Sequence, residues 1–226
     1  MKILIAGTGP GKPELITLSA LQAASSAEVI IVPRSKPDVP GLAEKVIAHH
    51  LPGKKCIPLT FPMTRDAEAR DRLIFSQLEA LSSEWRCAGT IFFPVIGDSV
   101  LYSTGKYLLD ALRRIVPGIE AEIIPGISAH SLASAAARRF LVMDDEVLAI
   151  IPGTAKPERI RKMLEACDCA AVYKPTALSN ARELFRGFKV MRIDYAGISE
   201  LERITDGEAA LTDIQEYLSV ILLWRD

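Results

Sequence analysis

Short apolar runs alternate along the chain with stretches in which apolar positions recur every three or four residues. The first run, residues 2–6, ends in glycines and reads as a buried strand. Leu15, Leu18 and Leu21 then return at helical spacing. Strands are expected at 28–32 and 55–59, with a helix over 42–49 between them. Ile74, Leu78, Leu81 and Trp85 fall on one helical face. Residues 89–96, apolar, β-branched and aromatic, have the make-up of a central strand. Leu101, Leu108, Leu109 and Leu112 mark the helix that follows.

Val116-Pro117-Gly118 breaks the pattern, since proline followed by glycine stops a helix and starts a turn. The second half restarts with a strand at 120–124, a helix over 129–139, a strand at 147–151, a helix over 157–166 and a strand at 169–173. Further strands are expected at 189–194, 202–205 and 217–224. This alternation predicts two α/β domains, 1–117 and 118–226, with a cleft between them. The first sheet should be mostly parallel. The second should be mixed, because Asp206-Gly207 signals an antiparallel pair near the end.

Composition narrows the classes. The chain has 226 residues, enough for one large domain or two small ones. Lys and Arg number 27 against 28 Asp and Glu, a formal net charge of -1, which gives no general attraction to nucleic acid. No apolar run approaches the roughly 18 residues of a membrane helix. The opening MKILIAGTGPG has neither the apolar length nor the cleavage site of a secretory signal. A cytoplasmic protein with no membrane or nucleic-acid partner is expected. Cys56, Cys87, Cys167 and Cys169 lack metal-ligand spacing, so reduced structural thiols and no protein-bound metal are expected.

Three segments carry candidate chemistry. Gly7-Thr8-Gly9-Pro10-Gly11 follows the first strand, where glycines let a backbone approach a ligand closely. A dinucleotide fingerprint would need glycine where Lys12 stands, and Pro10 and Pro13 remove two N–H donors. A tight strand-to-helix turn fits these glycines as well as a ligand cradle does. Ile96-Gly97-Asp98-Ser99 closes the central strand, the end at which open α/β sheets bind ligands. Asp98 sits at an expected helix N-cap, either as cap alone or as cap and ligand contact. Pro125-Gly126-Ile127-Ser128-Ala129 repeats the arrangement, with Ser128 as N-cap and a helix start that offers N–H donors to a carboxylate.

In this order and spacing, GTGPGKPELITLSAL, FPVIGDSVLYST and IIPGISA resemble the tetrapyrrole (corrin and porphyrin) methylases over essentially the whole chain. The resemblance implies the two-domain α/β fold of the class III methyltransferases, with S-adenosylmethionine held in the interdomain cleft. PRSKPDV, FPMTRD, Trp85, the YST after the Gly-Asp step and Tyr173-Lys174 look like one branch. That branch is the precorrin-2 or cobalt-factor II C(20)-methyltransferases of cobalamin biosynthesis. By resemblance, the methyl donor is contacted at Pro10, Ile96, Gly97, Asp98, Leu101, Ser128, Ala129 and Lys174, and at Ala196 or Gly197. A homodimer is implied in the same way. The family's Gly-Asp-Pro is Gly-Asp-Ser here, so Ser99 should alter stability more than binding.

Methyl transfer from a sulfonium to an electron-rich meso carbon needs alignment and exclusion of water more than covalent help. A base is still needed for the meso proton, and Tyr102, Asp98 and His130 are candidates by position. The substrate's carboxylates call for cations, for which Arg34, Lys36, Arg65 and Lys174 are candidates, each also readable as a solvated charge. Arg138-Arg139 near a helix end reads as a partner of the helix dipole. Two rivals stay open. One is a methylase of this fold acting on another tetrapyrrole position, on ribosomal RNA or on a translation factor. The other is a ligand-binding module without turnover.

Overall fold

The computed structural model describes residues 1–62, 64, 66–198 and 200–225. The chain forms β1 (Lys2–Gly7), α1 (Leu18–Ser26), β2 (Val29–Arg34), α2 (Leu42–His50), β3 (Cys56–Thr60), α3 (Ala67–Ala80), α4 (Ser82–Trp85), β4 (Thr90–Val95), α5 (Gly105–Ile115) and β5 (Glu120–Ile124). It continues with α6 (Ala129–Ala136), β6 (Leu148–Pro152), α7 (Pro157–Glu165), β7 (Cys169–Tyr173), α8 (Ala181–Leu184), β8 (Phe188–Asp194), β9 (Arg203–Asp206) and β10 (Ser219–Arg225). These elements divide into two compact units, Met1–Ser128 and Ala129–Asp226.

In the first unit five parallel strands lie in the order β3-β2-β4-β1-β5. Helices cover both faces, which is why β1 and β4 can be apolar at successive positions. On one face α3, α4 and α5 bring Ile74, Leu78, Trp85, Leu108 and Leu112 against Ile3, Ile91 and Phe93. On the other, Ala20, Ala23 and Ala24 of α1 and Ile47 of α2 meet Leu4, Ile30 and Phe92. Trp85 is fully buried, and its indole N–H donates to the Leu78 carbonyl at 2.9 Å. An aromatic ring can be taken out of water there because its one donor has a partner.

The second unit has a mixed sheet, in the order β6-β7-β10-β8-β9. Only β6 and β7 run parallel, and β10 and β8 are antiparallel to their neighbours. Its faces pack on α7 and α8 through Ile160, Leu164 and Leu184, and on α6 through Ala133. Among the described residues no helix is long and apolar enough to cross a membrane.

Several details depart from the sequence pattern. The division falls after Ser128, whereas Pro117-Gly118 turns the chain within the first unit, because β5 joins β1 in register from Lys2↔Glu120 to Ala6↔Ile124. The helix expected from Leu101 starts at Gly105, because Tyr102 takes positive φ and interrupts the helical path. Gly105 seats the helix against β1, since a Cβ there would fall 2.5 Å from the Ile5 side chain. In α1 the buried face is the alanine stripe, and Leu18 is 77% exposed. The face through Trp85 is continued by a separate turn, α4. Asp206-Gly207 leads from β9 into a 3-10 turn, and β8 and β9 are joined instead through residues 195–202.

Candidate functional site

The three glycine-bearing segments lie at the carboxyl ends of β4, β1 and β5, three adjacent strands. A Cβ on Gly7 would fall 2.5 Å from the Gly97 carbonyl oxygen and 2.7 Å from Gly126 Cα, so the three backbones touch where no side chain fits. Gly9 and Gly97 form a two-bond bridge, with Gly9 N–H donating to the Gly97 carbonyl at 3.2 Å and Gly97 N–H to the Gly9 carbonyl at 2.7 Å. Thr8 N–H donates to the Val95 carbonyl at 2.8 Å, and the buried Thr8 hydroxyl joins it at 3.0 Å. With the Thr8 and Gly9 N–H groups used and Pro10 lacking one, these three positions offer no N–H to a phosphate.

Asp98 is not a helix cap, since α5 begins seven positions later at Gly105. Its Oδ1 accepts from Val100 N–H at 3.2 Å and Gly126 N–H at 3.3 Å, tying the second segment to the third. Ser99 reinforces that tie, donating its hydroxyl to the Ile124 carbonyl at 2.7 Å. The departure from Gly-Asp-Pro therefore has a structural use: a serine bonds to β5, across β1, where a proline would only preset the turn. Gly97 itself has φ +74, and a Cβ there would meet nothing within 4 Å. Beside the crowded glycines 7 and 126, Gly97 thus borders open space.

Within the second unit, two of the site candidates, Ala129 and Ala196, border one apolar face. Ala129, Tyr173 and Ala196 all pack against the cluster of Ala133, Ile193 and Val220. The Tyr173 hydroxyl lies 2.8 Å from His130 Nδ1 and accepts His130 N–H at 3.2 Å, satisfying a donor that the first turn of α6 leaves over. Lys174, half-buried, and Tyr195 are non-glycine residues in the left-handed region, at φ 54 and 53, and Gly197 follows at φ 82. Strained backbone of this kind collects at ligand sites. Tyr102, in the first unit, has φ 50 and is 44% exposed. Burial of part of its ring raises the hydroxyl above the usual phenol value, so at neutral pH it is a phenol.

Arg34 is engaged elsewhere than expected. Its Nε and Nη2 donate to both oxygens of Glu44 at 2.8 and 2.6 Å, and Nη1 donates to the Pro37 carbonyl at 2.7 Å. Glu44 also accepts from Gly41 N–H at 3.2 Å, which fixes the entry to α2. Lys36 is exposed, and Arg65 lies outside the described residues. The hydrogen bond from Arg34 holds Glu44 below the usual carboxylate range. A depressed carboxylate stabilises the fold above its unfolded-state value and loses that contribution as the pH falls through the folded value. Glu44→Gln should therefore cost about 1–3 kcal/mol at neutral pH. Urea titrations of wild type and variant should converge from about pH 5 downward. Curves that stay parallel would remove the pair from the acid response.

All four cysteines are free. Cys167 and Cys169 are buried, and burial pushes the Cys169 thiol up to about 12, whereas Cys87 is exposed. No group of three or more His, Cys, Asp or Glu among the described residues could hold a metal ion. Arg139, expected to serve a helix dipole, stacks its guanidinium 4.1 Å over the Trp224 ring. The sequence pattern does not reveal the Ser99 and Tyr173 bonds, whose partners are distant in the chain. Arg192 and Asp194 also escape it, although Arg-Ile-Asp on a strand puts both on one face.

The family model of tetrapyrrole (corrin/porphyrin) methylases matches residues 2–208. The precorrin-2 C(20)-methyltransferase of Sinorhizobium sp is 28% identical over 244 residues, covering 100% of this chain and 96% of the relative. The cobalt-precorrin-2 C(20)-methyltransferase of Salmonella typhimurium is 28% identical over 174 residues, 76% of this chain and 72% of the relative. Among solved structures, uroporphyrin-III C-methyl transferase from Thermus thermophilus complexed with S-adenyl homocysteine superposes with a TM-score of 0.69 at 20% identity. That match covers 99% of this chain and 97% of the other.

Proposed function

The chain belongs to the tetrapyrrole (corrin/porphyrin) methylases, and from that footing we propose that it transfers the methyl group of S-adenosylmethionine to the C20 meso carbon of a precorrin-2-level tetrapyrrole in cobalamin biosynthesis. The supporting observation is the junction of Gly7, Gly97 and Gly126 at three adjacent strand ends, with open space at Gly97. The names of the relatives in Sinorhizobium and Salmonella support the choice of acceptor.

Bound S-adenosylmethionine supplies an electrophilic methyl group on a sulfonium. Pro10, Ile96, Gly97, Asp98, Leu101, Ser128, Ala129, Lys174, Ala196 and Gly197 are the residues that would hold it. By the resemblance most of these contacts would be to backbone, so the donor would be oriented by atoms that the fold fixes in advance. The meso carbon is the nucleophile, and the protein aligns it and excludes water. His130 or Asp98 takes the meso proton. Tyr102, as a phenol, is suited to a hydrogen bond and not to that role. Lys174 and Lys36 receive substrate carboxylates, and Arg34 would have to leave Glu44 to join them. The protein works as a homodimer in the cytoplasm, with a small-molecule tetrapyrrole as its partner.

The test is anaerobic incubation of the purified protein and S-adenosylmethionine with precorrin-2 and, separately, with cobalt-factor II. Mass spectrometry should show one added methyl on one of them, and the substrate that gains it decides whether cobalt precedes this step. No gain on either, with donor binding demonstrated, overturns the C20 assignment.

A further inference from the structure

Asp194 ends β8 almost completely buried, at 1% exposure. One carboxylate oxygen accepts from Arg192 Nε at 3.1 Å, and the other is buried with no hydrogen-bond partner among the described residues. Arg192, 8% exposed, also donates to the Ala210 and Thr212 carbonyls at 3.1 and 2.7 Å. A buried ion pair with an unsatisfied oxygen is a poor source of stability, because desolvation of the charges offsets most of their attraction. The pair lies in the last three residues of β8.

The next residue, Tyr195, carries the strained left-handed backbone and is held at both ends. Its N–H donates to the Leu218 carbonyl at 2.7 Å, and its hydroxyl to Glu216 Oε2 at 2.6 Å. The second Glu216 oxygen accepts from Arg203 at 2.8 Å, and Arg203 lies opposite Asp194 in the β8–β9 register, 3.9 Å from its carboxylate. Ile198 N–H closes the turn on the Tyr195 carbonyl at 2.9 Å. The residues inside that turn are Ala196 and Gly197.

We infer that Tyr195 is a positioning residue for the methyl donor: its hydroxyl, braced by Glu216 and Arg203 and rooted in the buried Asp194–Arg192 pair, holds the Ala196-Gly197 backbone in the shape that receives S-adenosylmethionine. This rests on residues 196–197 being donor contacts, as proposed above. On that reading the brace acts through the Ala196-Gly197 backbone, so its loss should be read in donor affinity.

The experiment uses full-length wild type, Tyr195→Phe, Tyr195→Asn and Glu216→Gln. Calorimetric titration with S-adenosylhomocysteine is paired with steady-state methylation at varied donor and varied tetrapyrrole. Tyr195→Phe should weaken S-adenosylhomocysteine binding and raise the donor KM, each roughly tenfold. Its kcat at saturating donor and its tetrapyrrole KM should stay within about twofold of wild type. Glu216→Gln keeps an acceptor for the phenol and should lose less. Tyr195→Asn, which tolerates the left-handed backbone unbraced, should recover part of the affinity. Wild-type donor affinity in Tyr195→Phe overturns the inference, as does an equal rise in both KM values with a fall in kcat. A wild type that binds no S-adenosylhomocysteine overturns the donor contacts and the inference together. A wild type that binds it but methylates neither tetrapyrrole overturns only the C20 assignment, and the titrations still decide the role of Tyr195.

Discussion

Gly126→Ala should destabilise the first unit by about 3 kcal/mol or more, lowering its melting temperature by roughly 6–12 °C. The added Cβ would press on the Gly97 carbonyl oxygen and lie 2.7 Å from Gly7 Cα and 2.8 Å from the Gly7 carbonyl carbon. All of these are backbone atoms at the ends of β1 and β4. They are fixed by the Gly9–Gly97 bridge and by Thr8 on the Val95 carbonyl, so they cannot swing aside as the tip of a side chain would. The methyl group is accommodated only if the strand ends part. Differential scanning calorimetry reads the result, and a variant melting within about 2 °C of wild type would mean that the strand ends tolerate separation.

Gly97→Ala should do the reverse. A Cβ at this position meets nothing within 4 Å, so the fold bears only the left-handed backbone of an alanine, about 1–2 kcal/mol. The melting temperature should fall by roughly 2–8 °C. The methyl group enters the space assigned to the methyl donor, and S-adenosylhomocysteine affinity should drop at least about 30-fold, which corresponds to some 2 kcal/mol. Titration of the folded variant decides the matter. Wild-type affinity would place the donor away from Gly97. The two glycines lie in adjoining segments of one junction, yet one should fail in folding and the other in binding, and the direction in which each Cβ would point separates them.

The strands are legible in the sequence because a buried parallel strand must be apolar at successive positions, and residues 89–96 announce β4 in any context. The partners of a strand are less so. Pro117-Gly118 marks a turn, but nothing local says that the next strand returns to β1, which lies more than a hundred residues back. The buried face of α1 is hidden from a reading that weighs leucines above alanines, whereas a helix packed close to a sheet buries its small residues. Residues 101–104 carry the helical pattern forward, and the positive φ at Tyr102 stops it.

In the candidate site, the glycines can be read from the sequence because a glycine directly after an apolar strand marks a place where a side chain would obstruct a close approach. The side-chain ties cannot. Ser99 finds its acceptor 25 positions away and His130 its phenol 43 positions away, and no periodicity encodes such pairs. Arg34 has the look of a substrate clamp because a guanidinium at a strand end is suited to carboxylates, but the carboxylate it holds here is that of Glu44.

The Thr8 hydroxyl bonds to a carbonyl 87 residues further along the chain, and Gly7 meets Gly126. A junction made of such distant parts cannot be assembled piecemeal, since each long loop must close before any contact rewards the closure. A nascent polypeptide, emerging from its amino end, displays the glycine turn long before either partner exists. The junction is complete only when β5 has docked at the sheet edge. A ligand held at that junction, as proposed for S-adenosylmethionine, would bind only molecules in which the three strand ends have met, and would favour them over truncated or half-built ones.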